Sequence, residues 1–203
     1  MILAGVDRFL NIEILVSLMI MTSVSGIHAT PIGEFVLGLM LTFVKQVPLC
    51  FQLKQEKQWK LFIPAVLRSK TVGGTSYVDI IFPKEQLLQL LTEGGFVVLS
   101  LSLTPETDRL IGEDELRTMK PTAYLINVAG GGVVDEEALV HALDEHWIAG
   151  AGLGVFAKEL LPAGSRLWEL PNIIFSLHVA GGMESYNIQA TEVFCENLRR
   201  YLN

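Results

Sequence analysis

The stretch AYLINVAGGGVVDEEALVHALDE, residues 123–145, contains the pattern that decides the fold. It opens with the β-forming run Ala123–Val128, passes through three glycines and continues into Asp135–Glu145, a predicted helix with Leu139 and Leu143 on one face. A strand followed closely by an amphipathic helix is half of a βαβ unit, the building block of a parallel sheet.

The same alternation extends in both directions from this stretch. Before it, Phe96–Leu103 predicts a strand and Glu113–Met119 predicts a short helix. After it, Ile148–Phe156 and Ile173–Ser176 each predict a strand. Helices are also predicted over Lys84–Leu91 and over Ser185–Leu202. We therefore predict an α/β fold with a parallel sheet, in which ligands bind beyond the carboxyl ends of the strands.

The first 70 residues have a different pattern. Leu18–Thr22 predicts a buried strand, and Thr30-Pro31 predicts a helix start with Thr30 as the N-cap and proline at the first helical position. This helix is expected to run until Pro48, and a second, polar helix to end near Trp59. Ile63–Lys70 is a predicted connector.

The composition excludes several classes of protein. The length of 203 residues allows one large domain or two small ones. Because 50% of the residues are hydrophobic and only 18% are charged, the chain can bury enough apolar surface to fold, which excludes a disordered protein. The formal charge of −7 argues against a nucleic-acid or anionic-membrane partner. The apolar runs Ile14–Met21 and Phe35–Val44 are shorter than the ~20 residues of a membrane span. Cys50 and Cys195 show no CxxC spacing, so neither a disulfide framework nor a zinc site is expected. We expect a reduced cytoplasmic setting.

Two polar side chains follow predicted strands and are candidates for catalysis. His178 comes just after Ile173–Ser176, and Glu159 comes just after Ile148–Phe156. A carboxylate beside an imidazole stabilises the imidazolium and fixes its tautomer, which suits a general acid–base group working near neutral pH. The alternative is a surface glutamate and a loop histidine with no joint role, and position alone favours that alternative.

The glycine-rich segments are weaker signals. Gly130–Gly132 is either a turn whose backbone N–H groups face an anion or only a strand-to-helix turn. Gly150–Gly154 is not expected to be a dinucleotide loop, because it falls within a predicted strand and Val155 occupies the last position of the G-x-G-x-x-G pattern. That fingerprint is absent from the sequence. His28 is expected to shape a turn rather than to bind a metal, and no metal site is predicted.

A set of motifs runs in order along nearly the whole chain. The main ones are SGIHA at 25–29, EFVLG at 34–38, LSLTPET at 101–107, MKP at 119–121, LINV at 125–128, GVVDE at 132–136, PNII at 171–174 and HVAGG at 178–182. Together they resemble the D-isomer-specific 2-hydroxyacid dehydrogenases. The resemblance implies reduction of 2-keto acids by NAD(P)H, or oxidation of the D-hydroxy acids, between a substrate domain and a Rossmann domain.

The resemblance also assigns roles to individual residues. It implies that His178 is the acid–base group and that Glu159 orients it. It implies a small 2-keto or 2-hydroxy acid as substrate, NAD or NADP as cofactor, and a cofactor wall formed by Leu103, Thr104, Val128, Ala129 and Gly181.

The sequence departs from the family pattern at several places. Gly130 occupies the position of the family's arginine, and a glycine cannot supply the bidentate grip of a guanidinium on a carboxylate. Losing one such contact typically costs on the order of 10²–10³ in rate. Further departures from usual residues are Gly95, Ser102, Gly154, Leu160 and Leu177. The resemblance also predicts that the N-terminal half of the substrate domain precedes Met1, and that one ~30-residue βαβ unit with the glycine loop is missing between Gly73 and Gly74.

We therefore expect a truncated, internally deleted member of the family with an incomplete Rossmann-like sheet. Residues 1–70 are the expected remnant of a flavodoxin-like substrate domain with the interdomain helix, 71–182 the incomplete NAD-binding domain, and 183–203 a helix returning to the substrate domain. Impaired dehydrogenase activity, weak NAD binding and a homodimer are expected. The alternatives are a catalytically inactive interaction or oligomerisation module, and a decayed gene product without a stable fold.

Overall fold

The computed structural model describes residues 2–4, 28–64, 84–188, 191–192 and 195. The strands in these ranges are β1 (Ile2–Ala4), β2 (Phe96–Leu99), β3 (Tyr124–Asn127), β4 (Gly150–Leu153) and β5 (Ile173–Phe175). The α-helices whose two ends lie in these ranges are α1 (Ala29–Val44), α2 (Val47–Gln55), α3 (Leu87–Glu93), α4 (Glu113–Thr118) and α5 (Glu136–Asp144). Short 3-10 helices lie at Lys84–Gln86, Gly131–Val133 and Arg166–Trp168.

The strands form one sheet in the order β1-β2-β3-β4-β5. The strands β2 to β5 are parallel, and Tyr124 lies opposite both Phe96 and Gly150. A parallel sheet must be covered on both faces, and every residue of β2 and β4 is buried. The predicted α/β fold with a parallel sheet is thus confirmed. The sequence pattern does not predict β1, which pairs antiparallel with β2 at the sheet edge.

Helices cover both faces of this sheet. On one face, α1 packs on alternate residues of β2 and β3 in a cluster that contains Val36, Met40, Phe43, Phe96, Val98 and Ile126. On the other face, α3, α4 and α5 pack on the intervening residues, in a cluster that contains Leu91, Leu116, Leu139, Val97, Leu99 and Leu125. Successive residues of a strand point to opposite faces, which divides the core into these two clusters. Gly152 in β4 lets α1 come close, since a Cβ there would lie 2.9 Å from Leu39 Cδ1.

Most predicted elements are present, with shorter bounds. The strands end one to four residues before their apolar runs do, and the helix predicted over Asp135–Glu145 is α5 with Asp135 as its N-cap. Asp135 Oδ1 accepts hydrogen bonds from the backbone N–H groups of Glu137 and Ala138 at 3.1 and 3.2 Å. This is the ordinary way in which an aspartate ends the run of unpaired donors at a helix start.

Two predictions about the first helices are wrong. The helix α1 begins at Ala29 with His28 as its N-cap, so Thr30 is not the cap; Pro31 still lies in the first turn, where no N–H is needed. The helix α2 ends at Gln55, not near Trp59. It stops there because Lys57 adopts a left-handed conformation, with φ 54°, and the Gln58 N–H bonds back to the Leu53 carbonyl, a common helix-ending pattern.

Some predictions fall on other parts of the chain. The predicted strand Leu18–Thr22 and residues 65–83, which include most of the predicted connector Ile63–Lys70, lie outside the described residues. Of the helix predicted over Ser185–Leu202, residues 186–188, 191–192 and 195 are described and helical.

Among the described residues no single helix is long and apolar enough to cross a membrane. The pair formed by α1 and α2 meets the length and composition requirement only when both are taken together across a 58° bend. The buried face of α1 is in contact with the sheet.

Candidate functional site

The loops that follow β2, β3, β4 and β5 meet at the carboxyl edge of the sheet. Backbone hydrogen bonds tie each loop to the neighbouring strand: Val128 N to Leu99 O at 3.1 Å, Gly154 N to Asn127 O at 2.8 Å and Ser176 N to Leu153 O at 2.9 Å. Ligands of open parallel sheets bind beyond this edge. The residues just after the strands are therefore brought together where chemistry is expected.

His178 and Glu159 are in direct contact at this edge. The Nδ1 atom of His178 lies 2.8 Å from both carboxylate oxygens of Glu159, so the ring N–H donates to the carboxylate. The two side chains are 65% and 39% exposed, so both reach solvent. The hydrogen bond from His178 lowers the pKa of Glu159 below its ordinary 4.5, burial opposes this, and the Phe156 backbone N–H and the charge of His178 lower the pKa further.

The backbone on both sides of this contact is shaped to present the two side chains. His178 has a left-handed conformation, with φ 59°, which costs a non-glycine residue about 1–2 kcal/mol. The turn of residues 156–159, here called the Glu159 turn, brings Glu159 Oε1 to 3.3 Å from the Phe156 N–H, which donates to it. The pair is therefore held by its local backbone rather than by burial.

Asn127 fixes the loop after β3. It is 1% exposed; its Oδ1 accepts from Ala129 N at 3.0 Å, and its Nδ2 donates to Gly130 O at 3.1 Å. Gly130 is extended, with φ −154° and ψ 144°, a conformation open to any residue. A Cβ at Gly130 would lie 3.2 Å from Leu103 Cβ, so a side chain there requires a shift of a few tenths of an ångström.

The five residues predicted to bind the cofactor come from three of these loops. Leu103 is 51% exposed and Thr104 is exposed, with its hydroxyl donating to Glu106 Oε2 at 2.8 Å. Val128 and Ala129 are half-buried and pack against opposite core clusters. Gly154 lies between the loop after β3 and the loop after β5, because a Cβ there would lie 3.4 Å from both Val128 Cγ1 and Ala180 Cβ.

Gly181 packs against the residue at the start of α1. His28 Nδ1 donates to the Gly181 carbonyl at 3.0 Å, and the His28 ring stacks on Tyr186 with centroids 5.3 Å apart. A Cβ at Gly181 would come within 2.9 Å of His28 Nδ1. His28 therefore ties the loop after His178 to α1, and this contact across 153 residues has no local sequence signal.

The two glycine-rich segments have structural positions. Gly131–Val133 is a 3-10 helix between β3 and α5, and a Cβ at Gly131 would meet the Phe156 carbonyl carbon and oxygen at 1.8 Å. Gly150–Leu153 is the buried strand β4, as predicted. Among the described residues no group of three histidines, cysteines, aspartates or glutamates is arranged to hold a metal ion.

A family model matches the half of the chain that contains this edge. The match covers residues 76–180, and its description is D-isomer specific 2-hydroxyacid dehydrogenase, NAD binding domain.

The chain belongs to this family.

Curated and solved relatives agree with this assignment. A glyoxylate reductase from Thermofilum pendens is 33% identical over 87% of this chain and 63% of its own length. A glyoxylate/hydroxypyruvate reductase B from Pectobacterium carotovorum is 44% identical over 54% of this chain and 34% of its length. A family member from Xanthobacter autotrophicus Py2, solved with NADPH and MES, superposes with a TM-score of 0.68 at 29% identity over 75% of this chain and 58% of that chain. This dehydrogenase-family chain thus spans between about one third and two thirds of the length of these relatives.

The described residues fit one part of NAD(P), the cofactor of this family domain. Leu103, Val128 and Ala129 are apolar, at least partly exposed and placed in the loops that follow β2 and β3, as contact with the nicotinamide end of a dinucleotide requires. A pyrophosphate usually rests on a G-x-G-x-x-G turn at a helix N-terminus, and the sequence does not contain that pattern.

Proposed function

We propose that this chain is an oxidoreductase of small 2-hydroxy and 2-keto acids that uses NAD(P), with His178 as its acid–base group and Glu159 as the residue that orients it. The observation that carries the proposal is the 2.8 Å contact between His178 Nδ1 and Glu159 at the carboxyl edge of a parallel sheet. Relatives named glyoxylate reductase and glyoxylate/hydroxypyruvate reductase support glyoxylate and hydroxypyruvate as the first substrates to test.

The contact determines which ring nitrogen can exchange a proton. Since Nδ1 donates to Glu159, Nε2 is the nitrogen that carries a proton to the carbonyl oxygen of a keto acid, or takes it from the hydroxyl of a hydroxy acid. The carboxylate stabilises the imidazolium and holds the ring in place. A pair with these properties supplies proton transfer in either direction of the reaction.

The cofactor is proposed to contact five residues: Leu103, Thr104, Val128, Ala129 and Gly181. NAD(P)H, when bound, supplies the hydride. Leu103, Val128 and Ala129 exclude water beside the reacting carbon, and Thr104 contributes a hydroxyl at the rim. Binding is proposed to be weak, because the sequence has no G-x-G-x-x-G turn for the pyrophosphate.

Gly130 is proposed to limit the rate. The resemblance implies an arginine at this position, and glycine offers no charge to a substrate carboxylate. We expect turnover below about 1 per second, the lower end of typical enzyme values.

The direct test is NADH oxidation with glyoxylate or hydroxypyruvate by the wild-type chain and by His178→Asn. Asparagine tolerates the left-handed backbone of His178. We expect the measurable rate to be lost in His178→Asn and kept in His146→Asn, a matched control because His146 is exposed and has φ 55°. Equal rates in His178→Asn and wild type would reject the acid–base assignment.

A second candidate function is an interaction or oligomerisation module without catalysis. It is supported by Trp59, Leu61 and Ile63, which are 96%, 87% and 93% exposed in a non-helical segment after α2. Contiguous exposed apolar surface marks interaction sites. Sedimentation and NADH oxidation are measured for wild type and for a triple serine variant at these positions. A dimer that dissociates in the variant, with no NADH oxidation by wild type, supports the module, and a wild-type monomer rejects it.

The dehydrogenase proposal also includes the domain organisation and the cellular compartment. Residues 1–70 are proposed to derive from the substrate domain, 71–182 from the NAD-binding domain and 183–203 from a returning helix, and the assembly is proposed to be a homodimer. Because both cysteines are free, a reducing cytoplasmic setting is proposed.

A further inference from the structure

Two carboxylates hold the Glu159 turn, and only one of them belongs to the turn itself. Glu159 accepts from the Phe156 N–H at 3.3 Å. The next backbone N–H, that of Ala157, donates to Oε1 of Glu136 at 2.5 Å. Glu136 is the first residue of α5 and lies 21 positions before Ala157 in the sequence, so this hydrogen bond ties the turn to a helix that packs on the sheet.

The remaining sides of the turn are closed by backbone and core. Gly131 comes so close to the Phe156 carbonyl that there is no room for a Cβ. The Phe156 side chain is 5% exposed and packs edge-on against Phe175 of β5, with ring centroids 5.5 Å apart. These contacts hold Phe156 in place, and the Glu136 carboxylate holds the next residue, Ala157.

We propose that Glu136 is a positioning residue: it holds Ala157, and so keeps the Glu159 carboxylate facing the His178 imidazole. The inference rests on the proposed function for the meaning of the His178–Glu159 pair, but the contact it explains is independent of catalysis. Glu136 forms its hydrogen bond to Ala157 and not to His178 or Glu159, so it acts through the turn alone.

The pKa of Glu159 reports the geometry without an enzyme assay. That pKa is lowered by hydrogen bonds from His178 and from the Phe156 N–H, both of which depend on the position of the turn. If the turn is released, these bonds lengthen and the pKa rises towards 4.5. Loss of a neighbouring negative charge alone has the opposite effect and lowers a carboxyl pKa. A rise therefore reports displacement and not altered electrostatics.

The experiment is an NMR titration of the Glu159 carboxyl carbon in the full chain, with four variants. Glu136→Ala removes the acceptor, and Glu136→Asp keeps the charge at the start of α5 but shortens the side chain by one methylene. Glu136→Gln removes the charge but keeps an acceptor oxygen. Glu137→Gln is the matched control, because Glu137 is exposed and lies in the same helical turn.

We expect the pKa of Glu159 to rise in Glu136→Ala and Glu136→Asp and not to rise in Glu136→Gln or Glu137→Gln. An unchanged pKa in Glu136→Ala and Glu136→Asp would overturn the inference. Glu136→Asp keeps it falsifiable if the alanine variant fails to fold, since a short acidic residue is well tolerated in the first turn of a helix. Failure of the proposed function would instead be seen in the His178→Asn assay, which leaves these titrations unaffected.

Discussion

At the carboxyl edge of the sheet, single side chains determine what the site can do. His178 and Glu159 bond to each other, Asn127 holds the loop that ends at Gly130, and His28 holds the loop that contains Gly181. The positions of His178 and Glu159 follow from the sequence, because both come just after predicted strands. Glu136, Asn127 and His28 do not, since their partners are backbone atoms that only the folded chain brings near. Of these three residues, only Asn127 is noticeable in the sequence, because it is an amide near the end of an apolar predicted strand.

The lowered pKa of Glu159 predicts a specific dependence of stability on pH. The carboxyl group binds its proton less tightly in the folded than in the unfolded chain, so its contacts stabilise the folded chain above about pH 4.5. This stabilisation is lost as the pH falls through the lowered pKa. In urea unfolding, we expect wild type to exceed His178→Asn in stability at pH 7 and the difference to shrink as the pH falls through the lowered pKa of Glu159. A difference independent of pH, or an equal effect of His146→Asn, would contradict this.

At the scale of helices and strands, hydrophobic periodicity predicts the order of elements after Lys84. Their ends are set by contacts that periodicity does not contain. The helix α2 stops where Lys57 turns left-handed, and β4 leaves the sheet at Leu153 although apolar residues continue to Phe156. The strand β1 pairs with β2 across more than ninety residues, so no local pattern indicates it.

The contact between the 3-10 helix after β3 and the Glu159 turn yields a prediction at this scale. In Gly131→Ala the new Cβ would meet backbone atoms of Phe156 at 1.8 Å, and neither strand-end loop can yield without breaking its anchors. We expect the free energy of unfolding to fall by about 1–3 kcal/mol or more, the usual effect of overpacking. Chemical denaturation measures this.

The matched control is Gly164→Ala, where a Cβ would have no neighbour within 4 Å. It should change the free energy of unfolding by less than about 0.5 kcal/mol, as surface substitutions usually do. If both alanine variants unfold at the same urea concentration, the close approach of the two loops is not a feature of the protein in solution.

At the scale of the molecule, the chain combines a covered parallel sheet with a partial ligand crevice. Both faces of the sheet are packed, so the described core is of the kind that folds stably. The His178–Glu159 contact is present at this edge, whereas the sequence has no G-x-G-x-x-G turn and a glycine stands at position 130. The missing contact to the substrate carboxylate is thus the proposed defect that one substitution can repair, because the extended backbone of Gly130 is open to any residue and its new Cβ requires Leu103 to shift by only a few tenths of an ångström.

The rate of NADH oxidation with glyoxylate by Gly130→Arg, at saturating NADH, tests the proposed function most directly. We predict a rate on the order of 10²–10³ above wild type, the usual value of one charge-assisted contact to a transition state. We also predict that adding His178→Asn to this variant removes the gain. A folded Gly130→Arg chain that binds NADH but oxidises it no faster than wild type would contradict the proposal that this edge is a dehydrogenase site limited by the residue at position 130.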